Sequence, residues 1–248
     1  MPLSKNKIKY IQSLKDKKNR TDHNTFVAEG AKLIVDLLPV CKCQLLAATP
    51  EFLKANPEIK AEEMVEASED ELKKATFLKT PPQAIAVFYQ FDNILPNIQN
   101  ELNLVLDGIQ NPGNLGTIVR IADWFGFEHV YCSPDTSDIY NPKTVQATMG
   151  ALARVRVHYL DLTDLLSKYK DLPVYGTFIN GSNIYQEKLS TKGFIIMGNE
   201  GNGIRPEVEN VVSHRISIPN YPIGRETVES LNVAVSTAII CSEFRRRM

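Results

Sequence analysis

From about residue 102 onward the chain repeats one grammar: a short apolar run, then glycine and asparagine, then a segment of helical periodicity. Nothing else in the sequence restricts the fold as tightly. Apolar runs without polar alternation suit strands buried on both faces, and the helix-period segments between them suit crossovers, so the pattern predicts a parallel sheet covered by helices. Strands are expected at Leu104–Leu106, His129–Cys132, Val174–Phe178 and Phe194–Met197, with a fifth at Arg215–Ile218. Helices are expected at about Leu115–Phe125, Asn141–Leu152, Leu162–Lys170, Pro206–Val212 and Leu231–Arg247. In such α/β folds a ligand sits at the carboxyl ends of the strands.

Upstream the grammar differs. Short elements are expected as a helix over Ile8–Leu14, a strand at Phe26–Ala28, a helix from Gly30 to Leu38, and strands near Leu45–Ala48 and at Ala84–Tyr89. The stretch Phe91–Glu101, with Pro96 and several asparagines, reads as a linker. A chain of 248 residues accommodates two modest domains, and this boundary divides it into 1–95 and 96–248. No apolar stretch approaches the roughly 20 residues of a membrane-spanning helix, and the lysine-rich start lacks the apolar segment of a signal peptide. A soluble, cytosolic protein without a membrane partner is the expectation. The four cysteines form no Cys-x-x-Cys pair, which fits a reducing compartment and argues against a zinc module.

With 28 basic and 29 acidic residues the formal charge is −1, so bulk charge gives no reason to suspect a polyanionic partner. The distribution is uneven. Residues 1–20 hold seven basic side chains against Asp16 alone, while residues 51–74 hold eight acidic side chains against four lysines. A basic segment of this kind either lines a phosphate backbone or forms a solvated helix face. Arg245, Arg246 and Arg247 add a second basic cluster at the end of the last expected helix.

Three segments rich in glycine and asparagine stand out. The first, Asp107-Gly-Ile-Gln-Asn-Pro-Gly-Asn-Leu-Gly-Thr-Ile-Val-Arg120, runs from a strand into a helix, with Asn114 available as a cap or donor and Arg120 within the helix. The second, Phe194-Ile-Ile-Met-Gly-Asn-Glu-Gly-Asn-Gly-Ile204, is a buried strand ending in closely spaced glycines, and is neither a dinucleotide fingerprint nor a P-loop. Glu200 in its midst is either solvated or paired with a cation. The third comprises Ile216-Ser-Ile-Pro219 and, beyond the loop Asn220–Glu229, Ser230-Leu-Asn232, with Ser230 read as the amino cap of the last helix. Taken singly, the first is also compatible with a strand–turn–helix junction carrying a surface arginine, the second with a plain loop and a solvated glutamate, and the third with a purely structural cap, so none identifies a function alone.

Taken together and in this order, the segments resemble the three signature motifs of the SpoU/TrmH family of RNA ribose 2′-O-methyltransferases, within the SPOUT superfamily. The stretch Asn24-Thr-Phe-Val-Ala-Glu-Gly30 is similar to the start of the small α/β ribosomal-protein-like substrate-binding domain that many members carry. The resemblance implies an α/β parallel sheet closed by a carboxyl-terminal trefoil knot, an exception to the rule against knots. It also implies a homodimer, an RNA-binding domain over 1–95 and a methyltransferase domain over 96–248. The activity implied is methyl transfer from S-adenosylmethionine to a ribose 2′-hydroxyl of structured RNA, ribosomal rather than transfer RNA, without a metal. Gly198, Asn199, Glu200, Gly203, Ile218, Pro219 and Leu231 are then expected at the methyl donor. Arg120, Asn114, Glu200, Ser230 and Asn232 are expected at the reaction, with Arg120 stabilising the developing alkoxide and Glu200 orienting Arg120 or the ribose. None of the four histidines is required. A transfer RNA methyltransferase, and a knotted RNA-binding scaffold without catalysis, are the alternatives; the missing G-x-G-x-x-G argues against a nucleotide-dependent oxidoreductase. Loss of residues 1–20 is expected to weaken RNA binding far more than donor binding.

Overall fold

The computed structural model describes residues 2–98, 100–222, 225, 228 and 230–246. The chain forms two compact units: Met1–Asp92 with Asp138–Ala153, and Asn93–Ser137 with Arg154–Met248. The middle excursion, Asp138–Ala153, thus packs with the amino-terminal elements although it is flanked on both sides by chain of the second unit.

In the first unit the helices α1 (Lys5–Ser13) and α2 (Lys17–His23) precede β1 (Thr25–Glu29), α3 (Ala31–Leu37), β2 (Cys43–Ala48), α4 (Pro50–Ala55), β3 (Glu63–Glu66), α5 (Glu69–Ala75) and β4 (Ala84–Tyr89). The sheet order is β1-β4-β2-β3, with only the β2–β3 pair parallel. Leu3, Ile11 and Leu14 from the amino-terminal segment enter the core beside Val27, Leu45, Val65, Leu72, Ile85 and Val87. Four elements were not foreseen. The α2 sequence Lys-Lys-Asn-Arg-Thr-Asp-His has no apolar periodicity, β3 buries a single side chain, Val65, and α4 and α5 are one to two turns long, held by Thr49 and by a Ser68–Glu71 capping box.

The second unit is a six-stranded sheet of order β10-β8-β9-β5-β6-β7, parallel throughout. Its strands are β5 (Leu102–Leu106), β6 (His129–Cys132), β7 (Arg156–Tyr159), β8 (Val174–Asn183), β9 (Gly193–Met197) and β10 (His214–Ser217). The helices are α6 (Pro112–Trp124), α8 (Leu162–Lys168), the single turn α9 (Pro206–Glu209) and α10 (Val233–Arg246); α7 (Pro142–Thr148) and a 3-10 turn at Ala151–Ala153 lie in the excursion. All five expected strands are present. The sixth, β7, is an edge strand in which His158 alone is fully buried, so it lacked the continuous apolar run that marked the others.

Strand order explains where a site forms. From β5 the chain builds outward to β6 and β7, then returns to place β9 on the other side of β5, so the order reverses between β5 and β9. Leu106 and Met197 are registered partners at the carboxyl ends of these two strands, and the Asp107 N–H donates to the Met197 carbonyl at 2.9 Å. The first and second glycine-rich segments therefore leave the sheet side by side at its switch point.

On the β6–β7 edge His129 and His158 share a ring-to-ring hydrogen bond of 2.9 Å, and the other nitrogen of His158, Nδ1, lies 2.7 Å from Asn93 Oδ1. An amide oxygen only accepts, so His158 Nδ1 carries the proton and its Nε2 accepts from His129. Burial, followed by the nearby His129 and Arg156, depresses His158 to about 4. Burial also lowers His129, against the opposing pull of Glu128 and Glu101.

Candidate active site

The first segment starts α6 earlier than its apolar periodicity suggested. Asn111 is the cap, its Oδ1 accepting from the N–H groups of Gly113 at 2.8 Å and Asn114 at 3.3 Å, with Pro112 at the first helical position. Asn114 is consequently in the first turn with its side chain free for other work. Its Nδ2 donates to Glu200 Oε1 at 2.8 Å, and its Oδ1 accepts from Asn232 Nδ2 at 3.1 Å. One asparagine thereby joins all three segments.

The second segment folds into a closed loop. Asn199 and Gly203 exchange backbone hydrogen bonds of 2.9 and 3.0 Å, and Asn199 Oδ1 accepts from the N–H groups of Gly201 and Asn202. Asn199 Nδ2 donates to the Gly108 carbonyl at 2.6 Å, fastening this loop to the first segment. A Cβ at Gly198 would collide with the backbone of Gly203 and Ile204, while Gly203 is glycine for its φ of +70°. Gly201 is under neither constraint.

A charged clamp not foreseen from the sequence holds the same two segments. Asp107, 1% exposed, accepts from the Arg205 backbone N–H at 2.8 Å, and its Oδ1 lies 2.6 Å from Arg205 Nη2. Nη2 also donates to Asp135 Oδ1 at 2.7 Å. Partial burial pushes the Asp135 carboxyl up, but hydrogen bonds from Ser133 and Arg205 outweigh it and hold the group below its ordinary value. Arg205 is raised above the usual arginine value by Asp135, with Asp107 adding to the effect. Arg205 follows directly on the glycine-rich loop, yet no spacing rule ties it to aspartates 98 and 70 positions earlier.

The third segment corrects one expectation. The last helix begins at Val233, and Asn232 rather than Ser230 caps it, its Oδ1 accepting from Ala234 N at 3.0 Å and Val235 N at 3.4 Å. Ser230 is exposed and makes no hydrogen bond among the described residues. Ile218 and Pro219 are half-buried and Leu231 is exposed. Arg225 and Val228 of the preceding loop are described, whereas Gly224 and Glu226 lie outside the described residues. Helix α10 packs against α6. Asn232 reaches the start of α6, and Arg245 donates to the carbonyls of Phe125 and Gly126 at its end, at 2.7 and 3.2 Å. Arg245 is thus a helix cap and Arg246 pairs with Glu243, while Arg247 lies outside the described residues.

Arg120 is exposed on α6 and has no hydrogen-bond or ion-pair partner among the described residues. Glu200 is held by Asn114, not by Arg120. Six positions on an α-helix turn the side chain to a face about 120° away, which separates Arg120 from Asn114 around the helix axis. The structure therefore brings Asn114, Glu200 and Asn232 into one hydrogen-bonded chain and leaves the guanidinium of Arg120 uncommitted.

Among the described residues no group of three or more metal-ligating side chains forms, and no helix is long and apolar enough to cross a membrane.

Residues 101–242 match the SpoU rRNA Methylase family, and residues 5–86 match the MRM3-like substrate binding domain. The chain is 32% identical to the 23S rRNA (guanosine(2553)-2′-O)-methyltransferase RlmP of Bacillus subtilis, over 96% of both proteins. Among solved structures it is similar to a TrmH-family protein from Porphyromonas gingivalis, with 41% identity, a TM-score of 0.90 and 99% of both chains covered. It also resembles the AdoMet-bound rRNA methyltransferase of Sinorhizobium meliloti, with 28% identity and a TM-score of 0.83, covering 97% of this chain and 94% of that one.

Proposed function

The chain belongs to the SpoU rRNA methylase family, and from that membership we propose that it transfers a methyl group from S-adenosylmethionine to a ribose 2′-hydroxyl of ribosomal RNA. The observation that carries the reading is the Glu200–Asn114–Asn232 chain, which ties all three motif segments into one site at the switch point of the sheet. The closed loop fits a methyl donor: Gly198 has no room for a side chain, and Gly203 exposes backbone beside it. Gly198, Asn199, Glu200, Gly203, Ile218, Pro219 and Leu231 are the residues that would hold it, with Leu231 supplying exposed apolar surface. When bound, S-adenosylmethionine supplies an electrophilic sulfonium methyl and needs no metal.

The chain's own residues supply placement and charge. A ribose hydroxyl develops negative charge as it loses its proton, and Arg120 offers an uncommitted cation to that oxygen and to the adjacent phosphate. A guanidinium is not deprotonated in proteins, so Arg120 stabilises the developing alkoxide rather than serving as the base, and the hydroxyl proton leaves to solvent with the adjacent phosphate sharing it in transit. Asn114, Glu200 and Asn232 fix the loops around the reactants, and Ser230, exposed next to them, is available to the nucleotide.

Residues 1–95 are assigned to gripping RNA and 96–248 to chemistry. The match to a substrate-binding domain supports the first assignment, as do the exposed Lys5, Lys9, Lys15, Lys17 and Lys18. A homodimer built on the second unit is supported by apolar surface on its paired helices, Trp124 at 84% and Val235 at 50% exposed. The carboxyl-terminal trefoil knot and a cytoplasmic setting, where ribosomal RNA resides, complete the reading. Incubation with tritiated S-adenosylmethionine and unmodified ribosomal RNA is expected to give labelled 2′-O-methyl nucleotides; absence of label from every RNA pool refutes it.

A further inference from the structure

The excursion Asp138–Ala153 leaves the second unit after β6 and returns to it before β7. Its anchorage in the first unit is specific. Arg20, 2% exposed, donates through Nε and Nη2 to Asp138 Oδ2 at 3.1 and 2.6 Å, and through Nη1 to the carbonyls of Leu14 and Lys15 at 2.8 and 2.7 Å. Tyr140 lies against Phe26 with ring centroids 4.9 Å apart, and its hydroxyl accepts from the Phe91 N–H at 3.0 Å. A buried ion pair is weak evidence of net stability but a strong determinant of register, because either partner alone is costly to bury.

The two residues that flank the excursion are tied to the Arg120 segment. The Ser137 N–H donates to the Ile109 carbonyl at 2.8 Å, in the loop that leads into α6, and the Ser137 carbonyl accepts from Tyr159 Oη at 2.6 Å. Arg154 grips Asp123 in two-pronged fashion, Nε to Oδ1 at 2.8 Å and Nη2 to Oδ2 at 2.7 Å. Asp123 is three residues beyond Arg120 on the same helix. A segment seated in the substrate unit is therefore fastened, one residue outside each of its ends, to the two ends of the stretch that carries Arg120.

We infer that Asp138–Ala153 is a mechanical coupler, with Arg20 and Asp138 as positioning residues that report RNA engagement by the first unit to Arg120. The inference rests on the RNA reading above and adds a route by which RNA binding sets the placement of the catalytic arginine. A pair that served only to hold the first unit together would not be felt at α6.

Hydrogen–deuterium exchange separates these cases in the full chain, with ribosomal RNA as the probe. In the wild type, RNA is expected to slow exchange in the first unit and also at residues 107–124. In Asp138→Asn the first unit remains protected and the effect at 107–124 is lost. Methyl transfer by that variant falls about tenfold in kcat, with KM for RNA and donor affinity within about twofold. Should Asp138→Asn fail to fold, Arg154→Ala serves instead, since Arg154 is 58% exposed, and the same loss at 107–124 is expected. Protection of the first unit with no change at 107–124 in the wild type overturns the coupler while leaving RNA binding intact, as does an unaltered response in the variants. RNA that protects no part of the wild type removes the RNA reading and the coupler together.

Discussion

Asn232 donates its side-chain amide to Asn114, 118 positions earlier, while the oxygen of the same amide caps the first turn of α10. The two roles fix one another. Because the oxygen is taken by the N–H groups of Ala234 and Val235, the nitrogen must face Asn114; that places the Asn114 oxygen toward Asn232 and its nitrogen toward Glu200. The donor direction of the whole chain is set by a helix cap.

Asn114→Asp places a carboxylate against Glu200 and removes the only donor in that contact. Methyl transfer is expected to fall by roughly 10-fold to 100-fold, as befits loss of a positioning hydrogen bond to a charged group. The site is solvent-exposed, so the thermal midpoint should move by no more than a few degrees. Tritium transfer and a melting curve on the same preparation check both halves.

Arg120→Ala is expected to lower transfer by about 10²–10³-fold, the usual consequence of deleting a charge-stabilising donor. Donor affinity by calorimetry should stay within about twofold, because among the described residues no loop side chain leans on Arg120. Arg120→Lys restores little, since an ammonium lacks the planar fork.

Arg205→Ala strands Asp107 as a buried carboxylate. Breaking a buried pair costs about 3–5 kcal/mol, reduced here to about 2–3 because Arg205 itself is 35% exposed. Urea denaturation should show that loss, and Asp107→Asn on top of Arg205→Ala should recover part of it. A double variant no better than the single would show that the clamp's worth lies elsewhere.

The His129–His158 pair predicts an acid-sensitive fold. His158 is depressed from the ordinary 6.5 to about 4, so below 6.5 the unfolded chain takes up a proton that the folded chain refuses. The stability it contributes is complete above pH 6.5 and lost as the pH falls toward 4, on the order of a few kcal/mol. His158→Gln should flatten the dependence of the urea midpoint on pH across that window relative to the wild type; parallel profiles would sink the assignment.

The basic amino-terminal segment requires point substitutions rather than deletion. Leu3, Ile11 and Leu14 are core residues, Arg20 is buried on Asp138 and Lys7 pairs with Glu63, so removing residues 1–20 dismantles the first unit. Lys15, Lys17 and Lys18 changed together to alanine should weaken RNA binding with a shallower salt dependence, read from binding isotherms at several ionic strengths, while leaving the fold intact.

The second unit was legible because its strands β5, β6 and β9 are buried on both faces and its glycine-rich turns are short and ordered. What escaped depends on long-range pairing. β7 is an edge strand whose apolar content is low, and Arg205 finds its aspartates only because β5, β6 and β9 lie side by side. The charge count overstated the available cations for a related reason: it includes Arg20 and Arg245, whereas one is buried in an ion pair and the other closes a helix. Asn232 is expected from the sequence only as a polar group near the site, with the cap placed at Ser230; serine and asparagine cap about equally well, so residue type alone does not choose between two candidates two positions apart.

The self-bonded loop from Asn199 to Gly203 bears on how the methyl donor proposed to bind there would be captured. Fixing backbone costs about 1–2 kcal/mol per residue, and the Asn199 side chain and the paired backbones meet that cost at folding rather than at encounter. Capture of a small molecule by this loop should then be fast, limited by diffusion and not by closure, with selectivity expressed in how long the molecule stays.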